Sequence, residues 1–275
     1  MADDLEFSVE RHYGKPGLKE RVLAAIAAGG LDINHLQADD LTPVDEFHTG
    51  GRLETVHALG KVRIPPNEHV LDVGCGLGGT ARYIASHFGC RVTGIDLTAD
   101  YVELAKLLSE KTGFAGHTDY KTASALQVPF MDAAFDAAVT FHVAMNIRDR
   151  PALYREIARV LRSGATLCLY DVMKGSNEDL AFPVPWAEVA AQSHLTSPEE
   201  MRELLSAAGF EVSDVEDRSG FAIEFFRKRL ASNAPPPPLG LHLLTGKNSR
   251  DKFENYLRGL EKEAVAPTIM IANRI

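Results

Sequence analysis

Apolar positions recur along this chain in two alternating periods. Leu18, Val22 and Ile26, with alanines between them, make a helical stripe that stops at Gly29-Gly30. A shorter helix over 53–59 leads to Pro65-Pro66, a natural boundary. Beyond it, short apolar runs alternate with helix-length segments. Strands are predicted over 70–73, 91–95, 135–141, 165–170 and 210–215. Between them lie helices over 80–88, from Thr98 to Gly113, from Pro151 to Leu161, and over 201–208, the last opened by the capping box Ser197-Pro198-Glu199-Glu200. Residues 171–196 read as irregular, and 217–266 as helical with a loop at Pro235–Pro238. Residues 268–272 read as a final edge strand. Strands and helices in this alternation imply an α/β chain with a doubly wound, mostly parallel sheet covered on both faces.

The division that follows is an N-terminal helical segment over 1–65 and a main domain over 66–275. The main domain carries insertions near 172–198 and 217–266. With 45% hydrophobic and 24% charged residues, the composition is that of an ordinary globular protein. A formal charge of −9 argues against nucleic acid as a partner, since phosphate binding needs a basic surface. No run of about 18 apolar residues occurs, so no membrane span is expected. The acidic start MADDLEFSVERHYG lacks a signal-peptide pattern. Cys75, Cys90 and Cys168 show no paired spacing and fit reduced thiols in the cytoplasm, and the scattered histidines imply no metal site.

Chemistry begins at Val70-Leu-Asp-Val-Gly-Cys-Gly-Leu-Gly-Gly79, where a strand runs into a glycine-rich turn and then a helix. Gly74, Gly76 and Gly79 satisfy GxGxxG, which suits a dinucleotide as well as other nucleoside ligands. Asp72 separates these readings. A carboxylate two residues before the first glycine repels a pyrophosphate held at the helix N-terminus but attracts a cationic ligand. The ammonium and sulfonium of S-adenosyl-L-methionine (SAM) meet that condition. Asp96, about 20 residues further on, is placed either to accept from both ribose hydroxyls or to cap the next helix.

Four motifs in order, VLDVGCGLGG (70–79), GIDL (94–97), ALQVPFMDAAFDAAV (125–139) and ARVLRSGATLCLYDV (158–172), resemble the class I SAM-dependent methyltransferases. The resemblance is strongest to the branch related to ubiquinone and menaquinone biosynthesis methylases and other small-molecule methyltransferases. It implies a Rossmann-like seven-stranded sheet with an antiparallel edge strand, and an N-terminal lid. It also implies Asp72 with Gly74, Cys75, Gly76 and Gly78 near the methionyl part. Asp96 and Leu97 would lie at the ribose, and Ser124, Ala125 and Leu126 beside adenine. The family often has an acid where Ser124 stands, and a neutral hydroxyl accepts a hydrogen bond more weakly.

The methyl acceptor must be reached from the carboxyl ends of the strands. His142, which follows the 135–141 strand, either activates a hydroxyl or amine or packs beneath the cofactor; its ordinary pKa is about 6.5. Met145 and Asn146 follow on the same loop, Met145 as packing. Asp171, after Tyr170, can bind a cationic acceptor, act as a base or cap the next segment. Trp186, in Phe182-Pro-Val-Pro-Trp, suits either an apolar pocket wall or a core cover. Tyr13 and the turn Asp45-Glu-Phe-His48-Thr-Gly-Gly51 are expected in the lid, where Gly50-Gly51 can offer N–H groups to the methionyl carboxylate. The expected reaction is methyl transfer from SAM, leaving S-adenosyl-L-homocysteine (SAH), to an O, N or C atom of a small molecule. A non-catalytic SAM-binding protein and an NAD(P)-dependent oxidoreductase are the alternatives.

Overall fold

The alternation of periods is realised as a seven-stranded sheet in the order β3-β2-β1-β4-β5-β7-β6. The structure is a computed structural model that describes every residue except 1–12, 15, 178, 233 and 247. Its strands are β1 (His69–Val73), β2 (Arg91–Asp96), β3 (Thr118–Thr122), β4 (Phe135–Phe141), β5 (Leu161–Lys174), β6 (Phe210–Asp217) and β7 (Val265–Arg274). In chain order the helices are α1 (Leu18–Ala28), α2 (Thr42–Asp45), α3 (Arg52–Leu59), α4 (Gly79–Phe88), α5 (Ala99–Lys111) and α6 (Arg150–Val160). Then come α7 (Pro198–Ala207), α8 (Ser219–Ala231), α9 (His242–Thr245) and α10 (Ser249–Glu261).

β1 to β5 pair in parallel, whereas β7 runs antiparallel to both β5 and β6. The antiparallel pairing thus lies at the β6 end of the sheet. The C-terminal strand read from 268–272 is inserted between β5 and β6 and is not itself the edge. Side chains alternate across the sheet as a period of two requires. Leu71, Val73, Leu167 and Leu169 pack under α6 and α7, while Val70, Cys168 and Tyr170 face the layer holding α3 and α4. The central strands are buried on both sides, which explains their continuous apolar runs.

One strand escaped the hydrophobic pattern. β3, Thr-Asp-Tyr-Lys-Thr, is an edge strand with three exposed residues, so only Thr118 and Tyr120 face inward. β5 is longer than its apolar run because its ends find partners at Leu161 and at Lys174. The capping box forms as expected: Ser197 Oγ accepts from Glu200 N–H (3.2 Å) and Glu200 Oε2 accepts from Ser197 N–H (2.8 Å). Thr98 stands at the N-cap of α5 without capping it through its side chain. Among the described residues, no helix is long and apolar enough to cross a membrane, and no cluster of metal-ligating side chains occurs.

Candidate active site

At the carboxyl ends of β1, β2 and β4 lies a cavity of about 430 Å³. The turn after β1 forms its floor. Gly76 has a left-handed φ of 52°, which an L side chain rarely adopts, and no atom stands within 4 Å of where its Cβ would be. Its N–H donates to Asp96 Oδ2 at 2.9 Å, while Asp96 Oδ1 accepts from Thr98 N–H at 2.8 Å. Asp96 therefore staples the end of β2 to the glycine turn. It satisfies the N–H of the N-cap residue of α5, and it also lines the cavity.

Asp72, on β1, is buried, and its Oδ2 has no hydrogen-bond partner. Burial, then the negative charges of Asp96 and Glu46, push its carboxyl up to about 8. A buried carboxyl of this kind, facing a cavity whose near charges are acidic, fits a cationic ligand group and opposes a pyrophosphate. The residues present therefore fit SAM. Gly74, Cys75, Leu97, Ala125 and Leu126 line the same cavity, as does Asn146.

Several residues expected at the cofactor or the acceptor lie outside the cavity lining or are already engaged. Gly78 lies outside the lining and is the N-cap of α4. Ser124 also lies outside it, and its Oγ accepts from Leu126 N–H at 3.0 Å, so it shapes the turn. Asp171 lies outside both this cavity and the next. Its Oδ2 accepts from Met145 N–H (3.2 Å) and its Oδ1 from Val172 N–H (2.9 Å), so it clamps the turn after β4. Burial pushes Asp171 up to about 7, against the opposing effects of Arg150 and those N–H groups. Tyr170 is fully buried outside both linings, and its hydroxyl donates to Thr49 O at 3.3 Å. Gly50 and Gly51 line the second cavity, and Gly51 N–H is already bonded to His48 O, so they offer the cofactor no pair of free donors.

The second cavity, of about 250 Å³, adjoins the first. Tyr13, Phe47, His48 and His142 line both. Tyr13 donates from its hydroxyl to Asn146 Oδ1 (2.9 Å), while Asn146 Nδ2 donates to Trp186 O (2.8 Å). Met145, Trp186, Phe225, Phe226, Phe253 and Tyr256 form most of the apolar wall. Trp186 packs edge-on to Tyr256 at 5.2 Å and donates from Nε1 to Ser193 Oγ, so it is wall and core at once. The four residues from α8 and α10 carried no individual signal in the sequence, although the phenylalanines at 221, 225 and 226 mark an apolar face within the 217–266 insertion.

His142 has a φ of 57°, uncommon for a residue other than glycine, and its N–H is fixed to Tyr170 O at 2.7 Å. This pins the ring at the junction of the cavities. Thr49 N–H approaches His142 Nε2 at 3.5 Å, which puts the ring proton of the neutral imidazole on Nδ1. Burial and neighbouring His48 hold His142 well below its ordinary pKa. His48 has the opposite arrangement. Its Nε2 lies 3.2 Å from Gly51 O, which only accepts, and 3.4 Å from Glu46 Oε2, so Nε2 carries the proton and Nδ1 the lone pair. Burial holds His48 down to about 4. Glu46 is itself fixed by Arg52 Nε at 2.6 Å and by the Thr55 hydroxyl.

Residues 71–169 match the family model of the methyltransferase domain. The O-methyltransferase resE of Aspergillus sclerotiorum is 34% identical over 77% of this chain and 81% of its own length. An O-methyltransferase of Pyrenophora dematioidea is 31% identical over 71% of this chain and 73% of its own length. The chain belongs to the class I SAM-dependent methyltransferases. The fold agrees: geranyl diphosphate C-methyltransferase from Streptomyces coelicolor A3(2) superposes with a TM-score of 0.71 at 19% identity, over 98% of each chain. The methyltransferase uses SAM to methylate a small-molecule acceptor, and the dinucleotide alternative falls with that assignment.

Proposed function

We propose that the second cavity holds the acceptor and that the reaction is methylation of a hydroxyl oxygen on a small, largely apolar molecule. The observation that carries this reading is the junction of the two cavities at His48 and His142, with an aromatic wall on the acceptor side. The names of the two O-methyltransferase relatives point the same way.

SAM, when bound, supplies a methyl group on a cationic sulfur that is open to in-line displacement. Asp72 holds its ammonium side and Asp96 its ribose, with Gly74, Cys75 and Gly76 as the backbone floor and Leu97, Ala125 and Leu126 beside the base. His48 Nδ1 takes the proton that the acceptor hydroxyl releases. His142 orients the acceptor by donating from Nδ1. Residues 1–65, of which 1–12 lie outside the described residues, act as the lid, in which Tyr13 and Phe47 close the junction against water, while 172–198 and 217–266 supply the acceptor wall. Three buried free cysteines fit a reducing compartment such as the cytoplasm.

The test is SAH release with SAM and matched sets of small phenols, aliphatic alcohols and amines, with products read by mass. Methylated phenols or alcohols are expected. Turnover confined to amines, or to carbon atoms, would sink the oxygen assignment while leaving the methyltransferase intact.

A further inference from the structure

The acceptor cavity has one charged end without a counter-charge. Of the two arginines that line it, Arg52 is paired at 2.6 Å with Glu46 and at 2.7 Å with Asp39. Arg229 has no carboxylate partner among the described residues. Its guanidinium carbon stands over the Phe253 ring, 5.4 Å from the centroid. That contact fixes the group and leaves its N–H fork unused. Arg229 is exposed to solvent, and partial burial lowers its guanidinium from its ordinary value.

Helix α8 sets where this charge sits. Its Phe221 lies against the turn next to His48, since a Cβ at Gly50 would come within 2.7 Å of Phe221 Cε1. Phe225 and Phe226, one turn on, line the middle of the cavity. Arg229 follows two turns after Phe221, about 12 Å along the helix axis. The cavity thus runs from two neutral histidines, through an aromatic middle, to a free guanidinium.

We propose that the acceptor is an elongated apolar molecule with a carboxylate at the end remote from the methylated hydroxyl, and that Arg229 binds this carboxylate. The inference rests on the second cavity being the acceptor site. A planar guanidinium matches a carboxylate with two parallel hydrogen bonds, and at a partly exposed site such a contact discriminates an acid from its ester by about tenfold.

The experiment measures the affinity of SAH-loaded protein for para-hydroxyphenylacetate, para-hydroxyphenylbutyrate and a hydroxynaphthoate, each beside its methyl ester. The longer acids are expected to bind about tenfold tighter than their esters. Arg229→Met should reduce that preference to within about twofold, with SAM affinity kept, and Arg229→Lys should restore part of it. Parity of acid and ester in the wild type, a preference that survives Arg229→Met, or no binding of any acid would each overturn the proposal. Its failure is separable from that of the functional reading: esters methylated as well as acids would leave the oxygen methyltransferase standing and remove only the role of Arg229.

Discussion

His48 and His142 face one another where the two cavities meet, with ring centroids 6.0 Å apart and hydrogen-bond partners that assign their single ring protons to opposite nitrogens. Both are neutral in the neutral range, His48 because burial holds it down to about 4. The lone pair left on His48 Nδ1 makes it the better base, and the proton on His142 Nδ1 makes it a donor. His48→Ala is expected to lower kcat about a hundredfold with SAM affinity within about twofold, and His142→Ala to lower kcat about tenfold. Steady-state kinetics with one accepted phenol checks both. The reverse order of losses would move the base to His142.

The ligand-free carboxyl of Asp72, pushed up to about 8 by burial, is protonated through most of the neutral range. A cationic ligand needs it ionised, so binding SAM must release a proton below that pH. SAM affinity should therefore rise with pH by up to about tenfold per unit until it levels near 8. Calorimetric titrations across this range test the slope, and Asp72→Asn should both weaken binding and flatten it. A slope that persists in the variant would assign the titration to another group.

Asp96 couples the end of β2, the proposed ribose site, to the glycine turn through its bonds from Gly76 N–H and Thr98 N–H. Asp96→Ala removes two charge-assisted bonds along with the proposed ribose contacts, and SAM affinity should fall by about a hundredfold. Asp96→Asn keeps one acceptor oxygen and should lose less. Unchanged affinity in the alanine variant would remove Asp96 from the cofactor site.

The proposed lid is tied to the sheet by a buried ion pair: Arg82 Nη2 of α4 meets Asp45 Oδ2 of α2 at 2.6 Å, both side chains fully buried. Gly79 permits that approach, since a Cβ there would lie 2.4 Å from Asp45 O. Arg82→Met leaves Asp45 buried and uncompensated, and should destabilise the fold by about 3–5 kcal/mol. Adding Asp45→Leu should recover much of that loss. Chemical denaturation of both variants measures the difference, and additive losses would show that the pair is not coupled.

The apolar periods, the glycine turn with Asp72 before it and Asp96 after it, and the capping box at Ser197 were legible in the sequence. Each is set by neighbours within a few residues, or by a strand–turn–helix unit whose geometry is local. β3 was hidden because an edge strand needs little apolar surface. The place of β7 between β5 and β6 was hidden because strand order depends on which partner a C-terminal segment meets after all the others have packed. The local roles of Ser124 and Asp171 are hidden for a related reason: their oxygens are used by nearby N–H groups, of Leu126 and of Met145 and Val172, which the sequence does not reveal. The second cavity draws on residues from 13 to 256, and the proposed division of labour between two histidines 94 positions apart depends on the carbonyl of Gly51 and the N–H of Thr49. Local chemistry thus determined the cofactor and the sheet that carries it. Only tertiary packing decided which nitrogen holds a lone pair and what shape of acceptor can reach it, because those depend on partners brought together by the whole fold.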